Sequence, residues 1–277
     1  MKVHLVQFSP LWEDKEANFA RVEHLIESSS PEPHSLVVLP EAFATGFSLN
    51  LQVTCGGEPE QTHAFLSRLS STHKVWIMAG CISPDPSGAL GRNLAVLFDP
   101  AGRYIGEYQK MYPFTPMGED KKHMAGQEPK LFNIKDFRLC PLLCYDLRFP
   151  ELFRTSVKKG ANLFVVLASW PDSRMSHWHA LLLARAIENQ AYVISCSAGY
   201  PGRFSLVKKA QSVAQSDLGR LILATIRSIL LSSSVVNSIF FTALRLSLIC
   251  SVVLAPISAL VTLSLLRTQA RAIWAKV

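Results

Sequence analysis

Apolar positions along most of the chain follow two periods. Short apolar runs at Val3–Phe8, Leu36–Leu39 and Val75–Gly80 predict strands, and longer stretches at helical spacing predict helices. The clearest helix is Glu13–Ser28, which sets Phe19, Val22, Leu25 and Ile26 on one face. Thr62–Thr72 predicts a second helix. Leu94–Phe98 and Tyr104–Tyr108, joined by a turn at Asp99–Gly102, predict a hairpin. Leu131–Ile134 and Leu139–Leu143 read as further strands, and Pro150–Lys159 as a helix that Gly160 stops. The continuous apolar run Ala161–Ala168 predicts a strand buried on both faces. Helix Ser176–Gln190 and strand Ala191–Cys196 follow, and Asp217–Gly219 before Leu221–Ala224 marks one more hairpin. Strands alternating with helices predict an α/β protein.

At residue 225 the pattern breaks. Residues 225–277 contain no Gly, Asp, Glu, His or Tyr. Within them 246–266 carries no charge between Arg245 and Arg267, with Pro256 near its middle. That length suffices for a membrane-spanning helix. The expected organisation is a folded domain over 1–224, incomplete at its C-terminal edge, and an atypical apolar, basic tail over 225–277. Three readings of the tail compete: a membrane anchor, non-homologous sequence, or a soluble helix covering the sheet.

The sequence is 49% hydrophobic and 18% charged, which excludes a disordered chain. A net charge of +7 hints at nucleic acid. The surplus, however, sits in the tail, which carries Arg227, Arg245, Arg267, Arg271 and Lys276 and no acid. The body lacks a basic patch with interleaved aromatics, so no nucleic-acid partner is expected. The six cysteines follow no pattern and form no CxxC pair, which excludes a disulfide scaffold and argues against a zinc ribbon or a thioredoxin-like site. Met1–Pro10 does not resemble a signal peptide, so a cytoplasmic location is expected.

Three local settings carry possible chemistry. Glu41, in LVVLPEAF, follows a strand and a proline, where a carboxylate points into the crevice of an α/β sheet. Taken alone it is equally an exposed loop glutamate. Lys110, in YQKMYPFTPMG, follows a strand-like run and reads either as a site cation or as a solvated strand-end lysine. Glu119 in the same region is just as ambiguous. Cys144, in LCPLLCYDLRFP, ends an apolar strand before a helix, a turn that offers free backbone N–H groups and a lowered thiol pKa. Cys140, inside that strand, reads as packing, as do Cys55, Cys81, Cys196 and Cys250.

Together these settings resemble the nitrilase superfamily of carbon–nitrogen hydrolases. LVVLPEAF resembles the family's glutamate motif, YQKMYPF and GEDKKHMAG its lysine and second-glutamate motifs, and LLCYDLRFPELFR its cysteine motif. Ala168–Tyr192 is similar to the omega-amidase-like branch, which acts on 2-oxo-acid amides. The resemblance implies a four-layer αββα sandwich, a homodimer, a small amide substrate and no metal or organic cofactor. It implies Cys144 as nucleophile, Glu41 as general base, Lys110 as oxyanion stabiliser with the backbone N–H of Tyr145, and Glu119 as a second carboxylate. Arg148, Arg174 and Trp170 are candidates for substrate binding, with Arg148 otherwise a structural partner of Asp146. Substituting Glu41 or Lys110 is expected to cost turnover with little effect on folding. The resemblance stops near Ala224, where the family continues with an acidic, strand-bearing segment, and it is thin over Phe204–Ser216. Two further readings therefore stand beside the amidase: a catalytically impaired remnant, and a membrane-associated acyltransferase of the same superfamily.

Overall fold

The computed structural model describes residues 1–56 and 60–199 and the backbone of 206–209. The chain divides into two units, Met1–Leu221 and Ile222–Val277. The second unit, with the segment 246–266 and the hairpin expected at 217–224, lies outside the described residues.

The first unit holds two sheets. The larger contains β1 (Val3–Gln7), β2 (Leu36–Val38), β3 (Trp76–Pro84), β4 (Gly91–Phe98), β5 (Tyr104–Gln109) and β10 (Leu206–Lys209), in the order β10-β1-β2-β3-β4-β5. The smaller contains β6 (Phe132–Ile134), β7 (Phe137–Leu143), β8 (Leu163–Ala168) and β9 (Tyr192–Ser197), in sequence order. The helices are α1 (Lys15–Ser29), α2 (Leu51–Thr54), α3 (Glu60–His73), α4 (Pro150–Lys158) and α5 (Met175–Asn189). Strands β1, β2 and β3 run parallel, as do β7, β8 and β9. Each sheet therefore presents a row of carboxyl-terminal strand ends.

Strand alternation sorts the core into layers. On β2, β3 and β4, Val37, Ile77, Ala79, Leu94, Val96 and Phe98, with Leu39 just after β2, join Phe19, Val22 and Ile26 of α1 and Phe65, Leu66 and Leu69 of α3. On the opposite face, Leu36, Val38, Met78, Ala95, Leu97 and Tyr108 join Leu139, Leu143, Val165 and Leu167 of the smaller sheet, with Leu152, Phe153, Trp178 and Leu182 beyond it. Contacts of β1 with β9, β3 with β8 and β4 with β7 bring the two sheets face to face. The result is the expected αββα sandwich. Because both faces of β2 and β8 are covered, their sequences LVV and LFVVLA are apolar throughout.

Some boundaries move. Strand β3 continues past Gly80 to Pro84, because Cys81 and Ile82 pair with Leu94 and Asn93 of β4. Strand β10 pairs antiparallel with β1 inside the stretch where the resemblance was thin. Among the described residues no helix is long and apolar enough to cross a membrane.

Candidate active site

Glu41, Cys144 and Ser169 follow β2, β7 and β8 closely, so three parallel strand ends deliver them to one place. Lys110 directly follows β5, on the inward face it shares with Tyr108. Asn93, on β4, shares the inward face of Ala95 and Leu97. Glu119 begins the 3-10 turn Glu119–Lys121. Two non-glycine residues in the turns carry left-handed backbone, Ala42 at φ 49° and Cys144 at φ 44°. Such strain persists only where surrounding structure fixes it.

Glu41, Lys110 and Glu119 are fully buried and directly bonded. The Lys110 ammonium donates to Glu41 Oε1 at 2.9 Å and to Glu119 Oε2 at 2.8 Å. The Asn93 amide Nδ2 donates to Glu41 Oε1 and to Glu119 Oε1, both at 2.8 Å. Glu119 also accepts from the Phe114 N–H at 2.5 Å and has His123 Nδ1 3.2 Å from Oε1. Glu41 Oε2 accepts from the Ser169 N–H at 2.9 Å.

The electrostatics follow from this packing. Burial alone would push the Lys110 ammonium down; the Glu41 and Glu119 carboxylates overcome it and hold the ammonium well above its ordinary value. Burial would raise Glu119, yet Lys110, His123 and Asn93 bring it down to about 2. Both groups are therefore charged at neutral pH. The Cys144 thiol corrects an expectation. Burial first, then the neighbouring Glu41 carboxylate, push it well up, against the opposing pull of Lys110 and the Ser169 N–H. The lowered thiol expected at a helix start is absent, because Cys144 opens a short 3-10 helix, Cys144–Arg148, in a desolvated cleft beside an anion. The resting group is the neutral thiol.

Asp146 also differs from expectation. It is fully buried and accepts from Tyr108 Oη at 2.8 Å, the Leu143 N–H at 2.9 Å and the Tyr112 N–H at 3.0 Å. Among the described residues it forms no ion pair with Arg148. The Arg148 guanidinium instead lies 5.0 Å from the Trp170 ring centroid and 5.9 Å from that of Tyr145. Trp170 is buried and its indole N–H donates to the Arg174 carbonyl at 2.8 Å, whereas the Arg174 side chain is exposed. Tyr145 packs edge-on against Phe114 and Phe149.

The sequence reading brought Glu41, Lys110, Glu119 and Cys144 forward and missed Asn93, His123 and Ser169. An amide in the apolar run NLAVLF was a usable signal for Asn93. Ser169 meets the Glu41 carboxylate through its backbone N–H, which leaves no signature, and its Oγ donates to the Glu41 carbonyl at 3.2 Å. Among the described residues no group of three or more His, Cys, Asp or Glu side chains could hold a metal ion.

This geometry can be set beside known proteins. A sequence profile described as carbon-nitrogen hydrolase matches residues 2–226. A 2-oxoglutaramate amidase of Bacillus subtilis is 34% identical over 196 residues, 70% of this chain and 75% of that protein. An omega-amidase of Yersinia enterocolitica is 36% identical over 197 residues, 71% of this chain and 74% of that protein. A CN-hydrolase superfamily protein of Xanthomonas campestris, solved with an arsenic adduct in its active site, superposes with a TM-score of 0.66 at 29% identity, covering 72% of this chain and 76% of that one. By its matched length, its identity to these relatives and its sandwich, the chain belongs to the carbon-nitrogen hydrolase family.

Proposed function

We propose that this chain hydrolyses the ω-amide of a small 2-oxo acid, such as 2-oxoglutaramate or 2-oxosuccinamate, to the acid and ammonia. The observation that carries the reading is the buried Lys110 ammonium, bonded to two carboxylates and facing a cysteine at a strained strand end. The relatives named amidases supply the substrate class.

In this reading the neutral Cys144 thiol loses its proton to Glu41 as Sγ attacks the amide carbonyl carbon. Concerted transfer suits a thiol whose resting pKa is pushed up. The tetrahedral oxyanion takes the third N–H of Lys110, since two already serve Glu41 and Glu119, together with the Tyr145 backbone N–H. Glu41 returns the proton to the nitrogen, the C–N bond breaks and ammonia leaves a thioester on Cys144. Glu41 then activates water, which releases the acid and restores the thiol. Glu119 stays ionised and anchors Lys110. The buried, hydrogen-bonded Glu41–Lys110–Glu119 cluster argues against an impaired remnant. A thiol nucleophile and the free cysteines among the described residues suit a reducing compartment, which supports a cytoplasmic location. A homodimer belongs to the same reading, and analytical ultracentrifugation checks it.

Ammonia release from 2-oxoglutaramate tests the function. Wild-type protein is expected to produce ammonia and a mass shift for an acyl group on Cys144, and Cys144→Ala neither. Absence of ammonia from both 2-oxo-acid amides overturns the reading.

A further inference from the structure

We infer that Asn93 is a positioning residue that decides which oxygen of Glu41 moves the proton. The inference rests on the reading of Glu41 as general base. Its ground is a count of acceptor positions. A carboxylate offers about four lone-pair positions. Glu119 has partners at all of them: Asn93 Nδ2 and His123 Nδ1 at Oε1, Lys110 Nζ and the Phe114 N–H at Oε2. Glu41 Oε1 has two donors, Asn93 Nδ2 and Lys110 Nζ. Glu41 Oε2 has one N–H donor, the Ser169 N–H, and the Cys144 thiol hydrogen-bonds to the same carboxylate. The position that N–H donors leave for the thiol proton in this pair of carboxylates therefore lies on Oε2. The same Ser169 N–H favours the Cys144 thiolate, so Oε2 and Sγ face a common donor.

Asn93 does this with one group. Its Nδ2 carries two hydrogens, and each goes to a different glutamate at 2.8 Å. The amide assignment follows from chemistry, because a carboxylate can only accept. The side chain is 1% exposed, so water does not replace it. Its backbone carbonyl also accepts from the Lys110 N–H at 2.9 Å, which ties β4 to the lysine. Without the amide, one position opens on Glu41 Oε1 and one on Glu119 Oε1. A proton that settles on either faces away from the thiol. The Glu41 carboxylate also loses a restraint on its terminal torsion.

The test compares wild type, Glu41→Gln, Asn93→Ala and Asn93→Ser in ammonia release and in alkylation of Cys144 by iodoacetamide, read by peptide mass spectrometry. Cys81, Cys140 and Cys196 are buried and report folding in the same digest. The expected result is a kcat about 10²-fold lower in both Asn93 variants, the scale of a misplaced general base, with KM within about threefold. Cys144 is alkylated at least tenfold more slowly while the three buried thiols stay protected. If wild type releases no ammonia, or Glu41→Gln keeps its rate, the underlying reading fails. If Glu41→Gln is inactive but both Asn93 variants keep kcat and thiol reactivity, this inference fails. It also fails if both Asn93 variants expose the buried thiols, because Asn93 is then a folding residue.

Discussion

The backbone of Glu41 passes over Gly80 so closely that a Cβ at Gly80 would lie 2.4 Å from the Glu41 Cα and 2.7 Å from the Pro40 carbonyl oxygen. Gly80 sits in mid-strand, on the inward face it shares with Met78. Its hydrogen is what lets the turn after β2 lie down on β3. The Phe43 N–H donates to the Gly80 carbonyl and the Gly80 N–H to that of Pro40, so the turn is bonded at the point where it is closest.

Gly80→Ala is therefore expected to displace Glu41. Backbone is in the way, so relaxation has to move the turn itself, at a cost of about 1–3 kcal/mol in stability. A displacement near 1 Å at a reacting group costs on the order of 10² in rate. Steady-state kinetics and thermal unfolding measure both effects. An unchanged kcat in the folded variant would show that Glu41 tolerates the movement.

Cys144→Ala is expected to abolish turnover, while Cys140→Ala keeps most of it. The Cys140 thiol lies 3.3 Å from Ser156 Oγ, away from the Glu41–Lys110 cluster, and burial pushes it up to about 12. Its loss should appear as lower stability. Comparable loss of activity at both positions, with both proteins folded, would contradict the assignment.

Lys110→Met is expected to do more than the sequence suggests. The resemblance implied a loss of turnover with little effect on folding. The structure buries Lys110 between two carboxylates, at 1% side-chain exposure. Removing the cation leaves those carboxylates desolvated without their partner, which costs ~3 kcal/mol or more. The expected outcome is a kcat lower by about 10²–10³-fold and a clearly lower denaturation midpoint. Lys110→Met with wild-type stability would contradict the buried arrangement.

Asp146 gives stability an unusual pH dependence. Burial pushes its carboxyl up to about 6, against the donors from Leu143, Tyr108 and Tyr112 and the charge of Lys110. Unfolded, the same group ionises near ~3.9. Its contribution is therefore complete below about pH 4 and is lost as pH rises through about 6. Glu119 has the opposite sign: lowered to about 2, it stabilises above ~4.3 and loses that contribution as pH falls through 2. Asp146→Asn removes only the first term. Its stability relative to wild type is expected to rise by up to about 3 kcal/mol from pH 4 to pH 7. Urea denaturation at the two pH values checks this, and parallel curves would contradict it.

How far the site was legible depends on where each residue sits. Glu41 and Cys144 follow apolar strands and Lys110 a strand-like run, YIGEYQ, and a strand end is visible in sequence because the pattern stops there. Asn93 lies inside a strand whose two faces are both buried, with Leu94, Val96 and Phe98 on one side and Ala95 and Leu97 on the other. Alternation then does not reveal which face holds the site. Nearness in sequence also misleads. Asp146 and Arg148 stand two apart, yet the carboxylate turns back to the Leu143 N–H and across to Tyr108, while the guanidinium reaches Trp170. The α/β class was legible through its alternating strands and helices and the sandwich through the family resemblance, whereas the extension of β3 past Gly80 depends on pairing with β4.

The two candidate arginines separate on structure, and the substrate's 2-oxo-acid carboxylate provides the test. Arg148 is half-buried at the end of the nucleophile turn, against the Trp170 and Tyr145 rings. Trp170 adjoins Ser169, whose N–H meets Glu41. Arg148 Nη2 lies 3.5 Å from His177 Nδ1, a contact that leaves other guanidinium N–H groups for an anion. Arg174 is exposed, and its backbone carbonyl accepts from the Trp170 indole N–H. Arg148→Gln is expected to raise KM for 2-oxoglutaramate by about tenfold or more, the scale of a charge-assisted hydrogen bond worth ~1.5–3 kcal/mol. Its kcat should change far less, because the carboxylate is bound equally in ground and transition states. Arg148→Lys should recover only part of the loss, since an ammonium cannot make a bidentate contact. Arg174→Gln should change KM less than threefold, in line with an exposed charge. A KM effect at Arg174 and none at Arg148 would move the carboxylate site to the start of α5.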